Sequence, residues 1–371
     1  MILAKKVRLY PSEMQEQKLW QSVGTARFIY NWTLAKQEEN YKNGGKFIPD
    51  SILRKEITQL KKNELSWLNE VSNNVAKQAV KDACDAYKRF FKGLSDKPRF
   101  KTKKKSKKSF YNDNIKLKVK DNQLVNIEKV GWIKTNEQLP MGVKYSNPRI
   151  SYDNKYWYIS VGIEQEETQD ILTNVSLGID LGLKDLAICS DGTVYKNINK
   201  TYIVRKIEKR LKRLQRQVSR KYEKNKRGKE YVKTKNIIKL EKQIQQIHRR
   251  LANIRNNNLH QTTTSIVKTK PYRIVIEDLA VSNMMKNKHL SDDIRKQGFY
   301  EFKRQLEYKC KFKGIELVVA DRFYPSSKTC SQCGNIKKDL KLKDRVYKCS
   351  CGLNIDRDLN ASINLSMYKL A

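Results

Sequence analysis

Val175-Ser176-Leu177-Gly178-Ile179-Asp180-Leu181-Gly182 is an apolar run that closes on a carboxylate and a glycine. A short apolar run with such an end reads as a buried strand of an α/β sheet. An acid at its end is unusual, because an unpaired carboxylate in a core is costly. Working outward, Leu186-Ala187-Ile188-Cys189-Ser190 is a second strand before the turn Asp191-Gly192. Arg273-Ile274-Val275-Ile276-Glu277 is a third, and it too ends in an acid. Asp293 to Phe312 reads as a helix, and Ile315-Glu316-Leu317-Val318-Val319 as a further strand. A terminal helix begins at Asp358, with Leu359, Ile363 and Leu365 for its apolar face.

Asp180, Glu277 and Asp358 are therefore the candidate catalytic and metal-binding acids. A divalent cation removes the cost of burying them. Two such ions about 3.5–4 Å apart can activate a water and stabilise the leaving oxygen of a phosphodiester. Hard oxygen ligands suit Mg²⁺ or Mn²⁺. Two positions stay ambiguous, since Asp278 follows Glu277 and Asp356 precedes Asp358. Asp278 is expected to face away, because neighbours on a strand alternate faces. Asp185 and Asp321 are supporting or merely structural.

Between these acids lies a second pattern. Cys330-Ser331-Gln332-Cys333 and Cys349-Ser350-Cys351 form two knuckles, each followed by a glycine, Gly334 and Gly352. Four thiolates suit tetrahedral Zn²⁺ and leave no open position, so the zinc is expected to be structural. Cys84, Cys189 and Cys310 are isolated and read as core residues. His248, His260 and His289 show no ligand pattern.

The 371 residues hold 78 Lys and Arg against 39 Asp and Glu, a formal net charge of +39. Such an excess calls for a polyanionic partner, and its spread along the chain favours nucleic acid over a membrane surface. No stretch approaches the roughly 18 apolar residues of a membrane span. The opening Met1-Ile2-Leu3-Ala4-Lys5-Lys6 is too short for a signal peptide, so a cytoplasmic location is expected. Residues 1–10 read as a strand and 11–100 as a helical block. Residues 101–173 read as short strands of a small β-barrel, which the first strand closes. The helical block is then an insertion between strands. Lys77, Lys81 and Lys88 lie on the basic face of a helix and Lys97 opens a basic link, making them candidate nucleic-acid contacts. Residues 174–371 form the acid-bearing domain. A basic antiparallel hairpin is inserted at 199–258, with seams Ile203, Ile207, Leu211, Leu214, Val218 and Leu240, Ile244, Ile247, Leu251, Ile254. The cysteine ribbon occupies 325–355.

Gly178-Ile179-Asp180-Leu181-Gly182, Ile276-Glu277-Asp278-Leu279, Pro325-Ser326-Ser327-Lys328-Thr329-Cys330-Ser331-Gln332-Cys333-Gly334 and Asp356-Arg357-Asp358-Leu359-Asn360-Ala361 together resemble the signature of TnpB. These are transposon-encoded RuvC-type nucleases, similar to type V CRISPR effectors. The resemblance covers essentially the whole chain. It implies a multidomain α+β protein: an RNase H-like RuvC nuclease domain with zinc ribbon and helical hairpin, and an N-terminal β-barrel wedge domain interrupted by a helical recognition domain. It also implies an Asp-Glu-Asp metal site, with Asp358 as third acid because it stands two residues before Asn360. The implied partners are a transposon-derived guide RNA and target DNA beside a short motif that the protein reads. Guide pairing would supply the sequence specificity. The implied state is a monomeric protein in an RNA–protein complex. The second knuckle departs from the family's two-residue spacer. A guided regulator that binds without cutting, and a structure-specific nuclease that needs no RNA, are the rival readings.

Overall fold

A computed structural model describes residues 1–168, 170–341 and 344–369. Gln169, Leu342, Lys343, Leu370 and Ala371, which fall in the expected barrel, ribbon and nuclease segments, lie outside the described residues. The chain divides into two units, Met1–Gln165 and Glu166–Ala371.

In the first unit, β1 (Ile2–Tyr10) leads into α1 (Glu13–Lys42), α2 (Asp50–Leu60) and α3 (Asn73–Phe91). Strands β2 (Lys108–Tyr111), β3 (Lys118–Lys120), β4 (Leu124–Ile127), β5 (Gly131–Thr135), β6 (Tyr145–Tyr152) and β7 (Trp157–Glu164) follow. They form one antiparallel sheet in the order β2-β6-β7-β1-β5-β4-β3. β1 pairs with β7 from Ile2↔Glu164 to Leu9↔Trp157 and with β5 at Leu9↔Thr135. The three helices are thus an insertion between β1 and β2, strands consecutive in sequence that belong to one sheet. Alternation drives the pairing: Val7 and Leu9 turn inward against Ile133, Ile159 and Val161. α1 starts at a capping box between Ser12 and Gln15. α3 lays its stripe of Ala76, Ala79, Val80 and Cys84 against Ile29, Leu53 and Ile57. The expected barrel is not hydrogen-bonded into a ring among the described residues, because β2 and β3 are edges. β3 is only three residues long with exposed Lys118 and Lys120, an edge ill-suited to further pairing.

The second unit opens with β8 (Thr173–Leu181), β9 (Asp185–Cys189) and β10 (Val194–Lys196). α4 (Tyr202–Lys224), a minimal pair β11 (Lys226–Arg227) and β12 (Glu230–Tyr231), and α5 (Lys235–Lys268) come next. Then follow β13 (Pro271–Glu277), α6 (Val281–Met284), α7 (Ser291–Gln297), α8 (Phe299–Lys313) and β14 (Glu316–Ala320). The ribbon strands β15 (Val346–Lys348) and β16 (Asn354–Asp356) precede α9 (Arg357–Ser366). The sheet order is β10-β9-β8-β13-β14. β8, β9 and β10 run antiparallel in sequence, while β13 and β14 run parallel to β8. Side chains divide by parity. Ile179, Ile274 and Ile276 pack with Leu259, Ile266, Phe302 and Leu306 of α5 and α8. Val275, Val318 and Ala320 pack with Leu365 of α9. The same alternation sends Asp180 and Glu277 to the α9 face.

Four expectations are corrected in detail. Residues 166–173 belong to the second unit: the Thr168 N–H donates to the Phe312 carbonyl, and Asp170 pairs with Lys270 and Lys313. The hairpin's second helix runs past 258 to Lys268, because its last turns carry Leu259, Ile266 and Val267 into the sheet core. Gly298, at φ 73°, breaks the helix expected over Asp293 to Phe312 into α7 and α8. Ile203 is exposed, and Val204 takes its place in the seam.

Candidate active site

The acids gather where β8 and β13 end beneath α9. The parallel register pairs Ile276 with Ile179, so Glu277 and Asp180 stand at one level on adjoining strands. α9 is pressed onto β8 at Gly178, where an added Cβ would lie 1.9 Å from the Ser362 carbonyl oxygen and 2.4 Å from the Ser366 nitrogen. Glycine is required there by close approach. Ser176 Oγ donates to the Ser366 carbonyl (2.7 Å), and Arg273 reaches the same oxygen (3.2 Å). Asp358, in the first turn of α9, is thereby held near Asp180 and Glu277.

The electrostatics record that crowding. Burial, then the carboxylates of Glu277 and Asp358, push Asp180 well above the usual carboxylate range, with Arg357 opposing. Burial also raises Glu277; the Ser326 hydroxyl, donating at 2.6 Å, opposes this, and Asp358 adds to it. Among the described residues neither Asp180 nor Glu277 has an ion-pair partner. Half-buried acids that repel one another are the environment a divalent cation relieves, and carboxylate oxygens are the donors Mg²⁺ takes. The three carboxylates do not all close to within 4.8 Å of one another. The Arg357 Nη2 donates to Asp358 Oδ1 at 2.8 Å, and Arg345 approaches Oδ2 at 3.9 Å.

The remaining acids have other occupations. Asp356 is the N-cap of α9, accepting from the N–H groups of Asp358 and Leu359 at 2.9 and 3.1 Å. Asp278 pairs with Arg322, Asp321 accepts from the Phe323 N–H at 2.8 Å, and Asp185 pairs with Lys196 at 3.2 Å.

The ribbon is locked to the same helix. Cys330 and Cys351 sulfurs lie 3.6 Å apart, as do those of Cys333 and Cys349, and all four fall within 4.8 Å of one another. Disulfides need about 2.05 Å. A tetrahedron of zinc–sulfur bonds of about 2.3 Å has edges of about 3.8 Å, so the donor set fits Zn²⁺. Gly334 and Gly352, at φ 75° and 95°, close the two turns. Asn360 donates to the Thr329 carbonyl and accepts from the Ser331 N–H; Asn364 donates to the Ser326 and Thr329 carbonyls. These buried amides tie the first knuckle to α9 and place Ser326 against Glu277. Sequence reasoning missed the roles of Ser326, Arg345 and Arg357. Only the Pro325-Ser326-Ser327 turn hinted at the first.

In the first unit, Lys77 and Lys81 are exposed on α3, while Lys88 faces Asp85 at 3.7 Å and Lys97 faces Glu38 at 3.2 Å. No helix among the described residues is long and apolar enough to cross a membrane.

The second unit thus joins a mixed sheet bearing acids on adjoining strands to a four-cysteine ribbon clamped to the helix above them. Residues 299–365 match the family described as "Cas12f1-like, TNB domain", 158–288 "Probable transposase", and 1–46 "Helix-turn-helix domain". The last stretch is a strand and one long helix here. The chain is 32% identical over 381 residues to "Putative RNA-guided DNA endonuclease InsQ" of Escherichia coli (strain K12), spanning 98% of this chain and 91% of that one. It is 32% identical over 373 residues to "Putative RNA-guided DNA endonuclease" of Streptomyces pristinaespiralis, spanning 99% and 89%. The solved Cas12f1–sgRNA–target DNA complex shares the fold, at TM-score 0.58 and 16% identity over 95% of this chain and 82% of that one. The chain belongs to the TnpB family.

Proposed function

We propose that this chain is a transposon-encoded, RNA-guided, divalent-metal-dependent DNA endonuclease. It cuts double-stranded DNA beside a short motif that the protein reads, using a transposon-derived guide RNA. The observation that carries the reading is the meeting of Asp180 and Glu277 on adjoining parallel strands under α9, with Asp358 beside them. The strand order, with three antiparallel and two parallel strands, supports an RNase H-like nuclease domain for residues 174–371. The first unit supports a wedge sheet over 1–10 and 101–165, interrupted by a recognition block over 11–100. The names of the relatives support RNA guidance, and the net charge of +39 supports a large nucleic-acid surface.

Asp180, Glu277 and Asp358 would hold the ions, which would supply Lewis-acid stabilisation of the phosphodiester oxygens and an acidified water. Ser326 orients the Glu277 carboxylate, which in turn orients the attacking water. The new bond joins that water oxygen to phosphorus. The bond to the 3′ oxygen breaks, and a proton ends on that oxygen. The products carry a 5′-phosphate and a 3′-hydroxyl. Cys330, Cys333, Cys349 and Cys351 would hold a zinc ion, which would keep the ribbon folded and so keep Ser326 and α9 in place. Lys77, Lys81, Lys88 and Lys97 are proposed nucleic-acid contacts.

The test is cleavage of guide-matched DNA by the purified RNA complex with Mg²⁺, and by its Asp180→Ala and Glu277→Ala variants. Both variants are expected to lose cutting and to keep RNA and target binding. A variant that cuts at the normal rate overturns the site assignment.

A further inference from the structure

The end of β13 separates two clefts, and Glu277 and Asp278 line both. One cleft continues along Leu279, Tyr300 and Lys303. The other continues along Phe323, Lys328, Lys341 and Arg357. Each carries one large aromatic turned to solvent: Tyr300 is 74% exposed and Phe323 86%.

Phe323 is not on a loose loop. Its N–H donates to Asp321 Oδ1 at 2.8 Å, and the Asp321 N–H donates to the Tyr368 hydroxyl at 3.2 Å. On its other side, Tyr324 meets the Tyr368 ring edge-on at 4.9 Å and donates to the Asn364 carbonyl at 3.1 Å. Among the described residues the ring is thus turned to solvent from a firmly held backbone. Tyr300 sits in the first turn of α8, beside a bidentate Glu301–Arg304 pair.

We propose that Tyr300 and Phe323 are stacking posts that seat an unpaired DNA strand across the acids, one nucleobase on each. The inference rests on the DNA-cleaving reading and deepens it. Bases in a duplex stack on one another and offer no face to a side chain, so the posts select a strand already unpaired. Lys303 on one side, and Lys328 and Lys341 on the other, supply the phosphate charge. Because every base has a stacking face, the posts impose no sequence preference. They are positioning residues: they fix which phosphate meets Asp180 and Glu277.

The test uses the full chain with its guide RNA, in an Asp180→Asn background for binding. 2-Aminopurine is placed singly along the strand to be cut. Its fluorescence is expected to fall at one position on either side of the scissile phosphate. Phe323→Ala removes one of these signals, Tyr300→Ala the other, and Phe323→Trp restores the first. In the active protein, each alanine variant raises KM about tenfold on a target with a pre-opened strand and changes kcat less. The absence of any position-specific quenching, or a double alanine variant with wild-type KM, overturns the proposal. If the unaltered complex binds DNA but cuts none, the enzymatic reading fails, while the fluorescence still decides for or against the posts.

Discussion

Gly178→Ala is the sharpest structural perturbation available. The added methyl would lie 1.9 Å from the Ser362 carbonyl oxygen and 2.4 Å from the Ser366 nitrogen. Both are backbone atoms of α9, so no rotamer change makes room. A carbon–oxygen contact settles at roughly 3.3 Å, so α9 must withdraw by about 1.4 Å, the difference from 1.9 Å. Overpacking of this kind costs about 1–3 kcal/mol. A misplacement of about 1 Å can cost a reaction roughly a hundredfold. The expected outcome is therefore a lower unfolding temperature and a single-turnover cleavage rate reduced about a hundredfold, with guide RNA still bound. Gly24→Ala is the matched control: nothing lies within 4 Å of its added Cβ, and it sits inside α1. That variant should gain about 0.5–1 kcal/mol and cleave normally. A Gly178→Ala protein that cuts at the wild-type rate would refute the claim that α9 sets the position of Asp358.

Other outcomes follow from the same geometry. Asp180→Asn removes mutual repulsion, and raised folded values make Asp180 and Glu277 contribute stability that is present below the ordinary carboxylate range and lost as pH rises through those values. Without metal the variant should melt higher than the parent at about pH 8, with the gap closing towards about pH 4; no gap at either pH contradicts the crowding. Mg²⁺ at a hundred times its dissociation constant should stabilise the parent by about 2.7 kcal/mol and the variant far less, as thermal melts would record. Ser326→Ala withdraws the hydroxyl that holds Glu277 down, so the acidic limb of the cleavage–pH profile should move to higher pH; an unmoved limb removes Glu277 from the reaction. Cys349→Ser should abolish stoichiometric zinc measured by elemental analysis and lower the cleavage rate through Asn360, Asn364 and Ser326. Asn360→Ala leaves the Ser331 N–H unpaired and the Thr329 carbonyl with Asn364 as its donor, a loss of about 1–3 kcal/mol readable in denaturant melts.

Much of this was legible because strands with acids at their ends are rare. Asp180 and Glu277 stood out against apolar neighbours, and parity alone sent Asp278 away from Glu277. The cysteine spacing likewise gave the ribbon without tertiary information. The choice between Asp356 and Asp358 was not readable from the residues alone, because both stand at the start of the same helix. The resemblance implies Asp358, and Asp356 caps α9. The open edges of the first sheet were hidden because a list of short strands does not say whether β2 and β3 pair with each other. The split of α7 from α8 depends on one left-handed glycine, Gly298, inside a pattern that is otherwise helical. Ser326 and Arg345 come from segments distant in sequence or irregular in pattern, and only the fold brings them in.

The most direct test of the central claim is to purify the chain from cells carrying its own flanking DNA and sequence the bound RNA. The complex is then offered, with Mg²⁺, a library of DNA matched to that RNA. Double-strand cleavage beside one fixed short motif, lost in Asp180→Ala, is the predicted result. Bound RNA and target without cleavage, or cutting of branched DNA by protein free of RNA, would contradict it.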